Sequence, residues 1–205
     1  QKRNEVLLGF SRDGFHWHRP DRRPFLGVTE KDSDWNWGNM QSAGGGCLIV
    51  GDKLYFYVSG RSRTDEFWDG LGSTGLGVLR RDGFASMDAG AEGGVLTTRP
   101  VVFSGRYFFV NADMREGELR AEILDRDGKP VAPFTGANCN AVSGDKTLAA
   151  VTWRGGDLSS LAGKPVRIRF HLKRGSLYAF WVSPGENGAS GGYTAAGGPG
   201  FTGPV

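Results

Sequence analysis

The residues between positions 30 and 41 include the side-chain types that a sugar site uses. Glu30, Asp32, Asp34, Trp35, Trp37, Asn39 and Gln41 place carboxylates and amides beside two indoles. Sugar rings stack on indole faces, and their hydroxyls bond to acid and amide groups. Further on, Tyr57, Ser59 and Arg61 alternate along one strand end and so share a face. Arg61 there is a candidate contact for a carboxylate or phosphate on a ligand, or an internal ion-pair partner for Asp65 or Glu66. Asp34 is the candidate catalytic carboxylate, with Glu30 as its possible pair, since glycoside hydrolysis by two carboxylates needs them about 5–10 Å apart. Spacing within a loop does not define that distance. The alternative for the whole cluster is a solvated loop with one or two tryptophans tucked into the core.

A second chemistry is written in Gly188-Ala189-Ser190-Gly191-Gly192, which matches the G-x-S-x-G nucleophile elbow. Ser190 is thus a candidate nucleophile for a small serine esterase, with His16, His18 or His171 as base. The motif follows a predicted strand, as an elbow does, but also needs a helix after it and a parallel sheet around it. Other patterns carry less. Asp125-Arg126-Asp127-Gly128-Lys129 opens like a calcium loop but lacks the downstream ligands, so a hairpin turn is expected. Gly70-Leu71-Gly72-Ser73-Thr74-Gly75-Leu76-Gly77 has no Lys-Ser/Thr for phosphates. His16-Trp17-His18 sets two imidazoles on one strand face without an identifiable third ligand. With 3 His and 2 Cys, and no Cys-x-x-Cys, neither a metal nor a cofactor is expected. Cys47 and Cys139 are expected to be free thiols.

What must position these residues is a β framework. The chain has 205 residues, 25 Lys and Arg against 22 Asp and Glu, and 34 Gly without a collagen period. The net charge of +3 is slight and dispersed, which argues against a nucleic-acid partner. No apolar run approaches the roughly 18 residues of a membrane span. Short β-branched and aromatic runs alternate with turn residues, predicting an all-β protein with strands at 6–10, 15–18, 46–50, 54–59, 75–80, 101–103, 107–112, 118–124, 147–153, 166–172 and 177–182. Gly51-Asp52, Asp127-Gly128 and Arg174-Gly175 read as hairpin turns. One short helical turn is expected at 157–163, with Asp157 as N-cap and Gly163 as stop. In the alternating run 166–172, Ile168, Phe170 and Leu172 should face inward. Trp153, Tyr178, Phe180 and Trp181 are further core candidates. A small, polar stretch near 85–95 marks a boundary. It separates antiparallel hairpins (1–88) from a β-sandwich (94–184), followed by a glycine-rich irregular tail (185–205) that Tyr193 and Phe201 tack down.

Ser11-Arg12-Asp13-Gly14-Phe15-His16-Trp17 resembles the S-x-D-G-x-x-W turn in blades of five-bladed propeller glycosidases, the invertase/levanase-like and arabinanase-like folds. The run from Asp34 to Gly45 followed by Leu54 to Arg61 is similar to their later blades. Residues 94–183, with Leu96-Thr97-Thr98-Arg99-Pro100 and Gly163-Lys164-Pro165-Val166, resemble the β-sandwich that follows the propeller in bacterial members. The resemblance implies that the turn's aspartate and glycine close a hairpin and that Trp17 packs under the next strand. It also implies that the family's three catalytic acids belong to blades upstream of Gln1. The chain then reads as a C-terminal portion that binds glycans without those acids, and Gln1-Lys2-Arg3-Asn4 reads as a start from which an upstream segment was removed. Two blades do not close a ring, so their open β edges call for cover by the sandwich or by a second copy in a homo-oligomer. The expected partner is a carbohydrate or other small ligand, in a secreted or periplasmic setting. A serine esterase and a purely structural sandwich are the alternatives.

Overall fold

The computed structural model describes residues 3–62 and 72–191 and is all-β. In chain order the strands are β1 (Phe10–Ser11), β2 (Trp17–His18), β3 (Met40–Ser42), β4 (Leu48–Val50), β5 (Lys53–Arg61), β6 (Gly72–Arg80), β7 (Met87–Ala89), β8 (Gly94–Thr97), β9 (Tyr107–Leu124), β10 (Val142–Val151), β11 (Arg167–Lys173) and β12 (Gly175–Ser183). The chain divides between Leu79 and Arg80 into two compact units. The stretch 87–97 thus lies within the second unit, where it supplies β7 and β8.

In the first unit β1 and β2 form a short antiparallel ribbon, Phe10 opposite His18 and Ser11 opposite Trp17. The strands expected at 6–10 and 15–18 shrink to these ends, because residue 6 instead bridges Leu26 and residues 13–16 form a turn. A second sheet is built on β5. β3 and β4 both pair antiparallel with it, Met40 opposite Gly60 and Val50 opposite Lys53, and β6 pairs with it as well. The Gly51-Asp52 hairpin forms as expected, with Gly51 at φ 60°. Period-two alternation sorts β5 cleanly. Leu54, Phe56, Val58 and Gly60 face inward with Met40, and Phe56 meets Phe25 edge-on at 5.6 Å. The opposite face carries Leu48, Val50, Tyr57, Leu76 and Val78, all exposed.

The second unit is one six-stranded sheet that bends around a single core and nearly closes as a barrel. Its axis is β9, one strand of 18 residues where two were expected. β10 pairs along one edge of it, and β12 and then β11 along the other. Arg174-Gly175 is therefore not a hairpin turn. Lys173 sits opposite Glu118 and Ser176 opposite Asp113, so β11 and β12 run on along the same neighbour in the same direction. The pair of residues marks a bend, with Arg174 at φ 47°. β8 and β7 line the far side of β11 and β12.

The bend leaves its mark on burial. Phe108, Val110, Ala112 and Met114 face the core, then Leu119, Ala121 and Ile123 do. The change from even to odd numbers coincides with the register shift between Val142 and Gly144 on β10, as a bulge requires. A second shift at Tyr178 flips β12: Leu177 faces inward, and beyond it Phe180 and Val182 pack on the core. Tyr178 is thereby turned out of the core to lie under the Arg80 guanidinium, 4.8 Å from its ring centre. Trp181 is buried on the outer side, stacked on Phe109 at 5.9 Å. Ile168, Phe170 and Leu172 point inward and Trp153 stacks on Phe108, as expected. The 3-10 turn Leu158–Leu161 is capped by Asp157, whose carboxylate accepts from the Ser159 amide. The strand expected at 101–103 is a single bridge, Val101 to Val166. Both cysteines are free, Cys139 buried and Cys47 half-buried.

Candidate functional site

Trp35 is fixed by two glycines. Its indole lies on the inner side of the β5–β6 sheet over Gly60 and Gly75, where a β-carbon at Gly60 would come within 2.6 Å of ring atom Cε3 and one at Gly75 within 2.5 Å of Cζ3. Any side chain at either position would collide with the ring. Yet Trp35 remains 41% exposed, so part of the indole is held by the sheet and part is offered to solvent.

The loop behind it is stapled to its neighbours. Asn36 Nδ2 donates to the Gly27 carbonyl at 3.0 Å, Gly38 donates to Thr29, and Asn4 donates to Gly38. The acids of the cluster sit beside cations. Arg3 bridges Glu30 and Glu5, and Lys31 Nζ lies 3.7 Å from Asp34 Oδ1. Asp32 is exposed, while Trp37 and Asn39 are half-buried and bridge Thr29 and Asn4. Glu30 and Asp34 thus each meet a cation, Arg3 and Lys31, and Trp35 meets the strand glycines.

It does not bring Gln41, Tyr57 and Arg61 to them. Gln41 pairs with Ser59, whose side chain shares a face with Tyr57 and Arg61, and that face is the opposite one from Trp35. The two halves of the sequence-level cluster are separated by the thickness of a sheet. The ion-pair partners proposed for Arg61, Asp65 and Glu66, lie outside the described residues, as do Tyr193 and Phe201.

The Ser11–Trp17 turn is built as its residue types dictate. Ser11 Oγ accepts from the Gly14 amide at 2.8 Å, and Asp13 Oδ1 accepts from the amides of Phe15 and His16 at 2.9 and 2.8 Å. His16 Nδ1 meets Asp13 Oδ2 at 2.6 Å, and Gly14 takes φ 78°. The His16 amide, the His16 ring and the Phe15 amide hold the Asp13 carboxyl well below the usual carboxylate range. Trp17 does not pack under a following strand. It is 67% exposed, with its indole N–H donating to the Gly14 carbonyl at 3.1 Å. His16 belongs to this turn and not to a strand, so His16 and His18 do not form the alternating pair expected of them.

Ser190 is 2% exposed, in a segment tied down by Trp181 Nε1 donating to Gly188 O and Ser183 Oγ donating to Ala189 O. The sheet before it is antiparallel, and the described residues contain no α-helix. The strand–turn–helix setting that exposes a nucleophile is not present around it.

Two features of the second unit were not legible in sequence. Glu122 is buried on the outer side of β9, where one oxygen takes hydrogen bonds from His171 Nε2 and Arg169 Nη1, each at 3.1 Å. Burial pushes its carboxyl up, but the bonds from His171, Arg169 and the Gly136 amide outweigh that and hold it below the usual range. A polar cleft at the bend is lined by Asp88, Asp113, Arg115, Glu116, Arg174 and Ser176. Asp113 is held low by the Arg115 guanidinium, and Asp88 by the Ser176 and Ser86 hydroxyls. The one signal of this cleft is the break in apolar alternation at 113–118. Among the described residues every carboxyl whose pKa is displaced moves downward, and no three His, Cys, Asp or Glu side chains form a group that could hold a metal ion.

No family model, curated protein or solved structure matches this chain.

Proposed function

We propose that this chain is a carbohydrate-binding portion of a glycosidase-like protein, binding glycans without cleaving them. The observation that carries the reading is the Trp35 indole, held on Gly60 and Gly75 with part of its surface open. An aromatic platform fixed before the ligand arrives loses little entropy on stacking, and neighbouring Asp34, Glu30 and Lys31 supply acceptors and donors for hydroxyls. Binding without turnover is supported by the charge states. A glycosidase needs one carboxyl kept protonated by an upward shift, whereas the displaced carboxyls here are all held ionised.

The test is calorimetric and fluorescence titration with fructan and arabinan oligosaccharides, beside Trp35→Ala and the gentler Trp35→Phe. Trp35→Ala should weaken binding by about tenfold or more, the equivalent of roughly 1.4 kcal/mol, and Trp35→Phe by less. An aryl-glycoside assay on the same protein should show no turnover. Glycan affinity unchanged in folded Trp35→Ala, or turnover that Asp34→Asn abolishes, would sink the proposal.

A further inference from the structure

The β1–β2 hairpin carries two large rings and a guanidinium outward. Asp13, the acid at its tip, is consumed internally, because its two oxygens accept from Ser11 Oγ, the Phe15 and His16 amides and the His16 ring. Asp21, the next acid along, is held by Arg23, whose Nη2 lies 2.6 Å from Oδ2. What remains facing solvent is the ring of Phe15, 87% exposed, the ring of Trp17, 67% exposed, and Arg12, for which no side-chain partner is found among the described residues. Exposed aromatics of this size on a small turn are costly to leave in water unless something covers them.

The Trp17 ring is also rigid. Its N–H is committed to the Gly14 carbonyl, and its benzo edge runs along the ribbon to within 3.7 Å of where a β-carbon on Gly9 would sit. With its donor used, the indole can only stack. A ligand for this tip must therefore present an apolar or sugar-ring face to Phe15 and Trp17 and an acceptor or negative charge to Arg12.

We infer that this hairpin is a second carbohydrate-contacting site, specific for anionic glycans such as uronate-bearing chains. The inference rests on the reading of the chain as a glycan binder and adds the charge of the ligand. A neutral glycan leaves the Arg12 guanidinium beside the two rings without a counter-charge, and a glycan with carboxylates supplies it.

The experiment compares oligogalacturonate with its fully methyl-esterified, neutral counterpart on the intact chain, at about 50 mM and about 500 mM salt. Oligogalacturonate should bind at least about fivefold tighter than the ester in low salt, with the difference gone in high salt. Arg12→Ala, at an exposed position, should weaken oligogalacturonate by about threefold or more and leave the neutral ester unchanged. Phe15→Ser, which removes a stacking ring, should weaken the acid by about threefold or more without abolishing its preference over the ester. Equal affinity for acid and ester, or an unaltered Arg12→Ala, overturns the inference while leaving Trp35-dependent binding intact. No binding of either oligosaccharide by the parent chain, or binding of both that Trp35→Ala, Arg12→Ala and Phe15→Ser all leave unaltered, overturns the carbohydrate reading itself. Oligothymidylate or phosphatidylserine vesicles bound more tightly than oligogalacturonate, through the same Arg12 and Phe15, would reassign the hairpin to nucleic acid or to a lipid surface.

Discussion

A tryptophan that rests on glycine depends on what those glycines lack. Gly60→Ala should cost about 2–3 kcal/mol, because the new methyl meets both the indole and the Trp35 backbone carbonyl. Gly75→Ala meets only the far end of the ring and no backbone, so it should cost less, about 1 kcal/mol, while weakening glycan binding as strongly because it displaces the indole. Urea melts and titrations on the two variants separate these effects. If both are as stable as the parent, the indole does not lie where described. Residue types in this loop were readable from sequence, since Trp beside Asp and Asn states its chemistry plainly. Which face each side chain takes was not, because Gln41, Tyr57 and Arg61 lie on strands whose register decides the face, and register is a long-range property. Glu122 was illegible for the same reason: its partners Arg169 and His171 are more than forty residues away. Its folded pKa lies below the ordinary 4.5, so it contributes stability above that value that is lost as pH falls through the lowered one. Glu122→Gln should therefore lower stability by about 2 kcal/mol near pH 7 and make it less pH-dependent as the pH falls below the ordinary carboxylate value, as measured by denaturant titration.

Hairpins and caps are local, and those were legible at the scale of elements. Gly51-Asp52 closes β4 onto β5, and Asp157 caps its 3-10 turn, because each needs only a few adjacent residues. Arg174-Gly175 misled for an instructive reason. Its left-handed residue suits a two-residue turn, but the same conformation also serves a bend in a strand that keeps one neighbour throughout. Only the length of β9, with polar 113–118 in its middle, distinguishes the two. The bend has a steric signature of its own. A β-carbon at Gly117 would collide with the Lys173 carbonyl, and one at Gly175 would come within 2.6 Å of the Asp113 carbonyl oxygen. Gly117→Ala should thus destabilise the second unit by about 3 kcal/mol or more, since backbone on the other strand has no rotamer to escape into. A circular-dichroism melt unaffected by Gly117→Ala would mean that the strands part at the bend.

The molecule as a whole is unevenly stabilised. Among the described residues the first unit buries Met40, Leu54 and Val58 fully, whereas the second has a continuous core running from Phe108 to Leu177. Burial of apolar area is the dominant favourable term, and each fully buried aliphatic or aromatic side chain contributes roughly 1.5–3 kcal/mol. A unit with so small an interior melts early. Calorimetry of the intact chain should show two transitions, a lower one of small enthalpy from Gln1–Leu79 and a higher one from Arg80–Val205. Leu54→Ala should lower only the first, by an amount equivalent to about 2–5 kcal/mol. Ile168→Asp should abolish the second, because a carboxylate without a partner would replace a side chain sealed between Phe170 and the β9 core. One transition moved by both variants would show that the units unfold together. If two are seen, glycan should shift the lower one upward, because Trp35 and the β1–β2 hairpin both belong to the first unit and ligand binding stabilises only the state that holds the site.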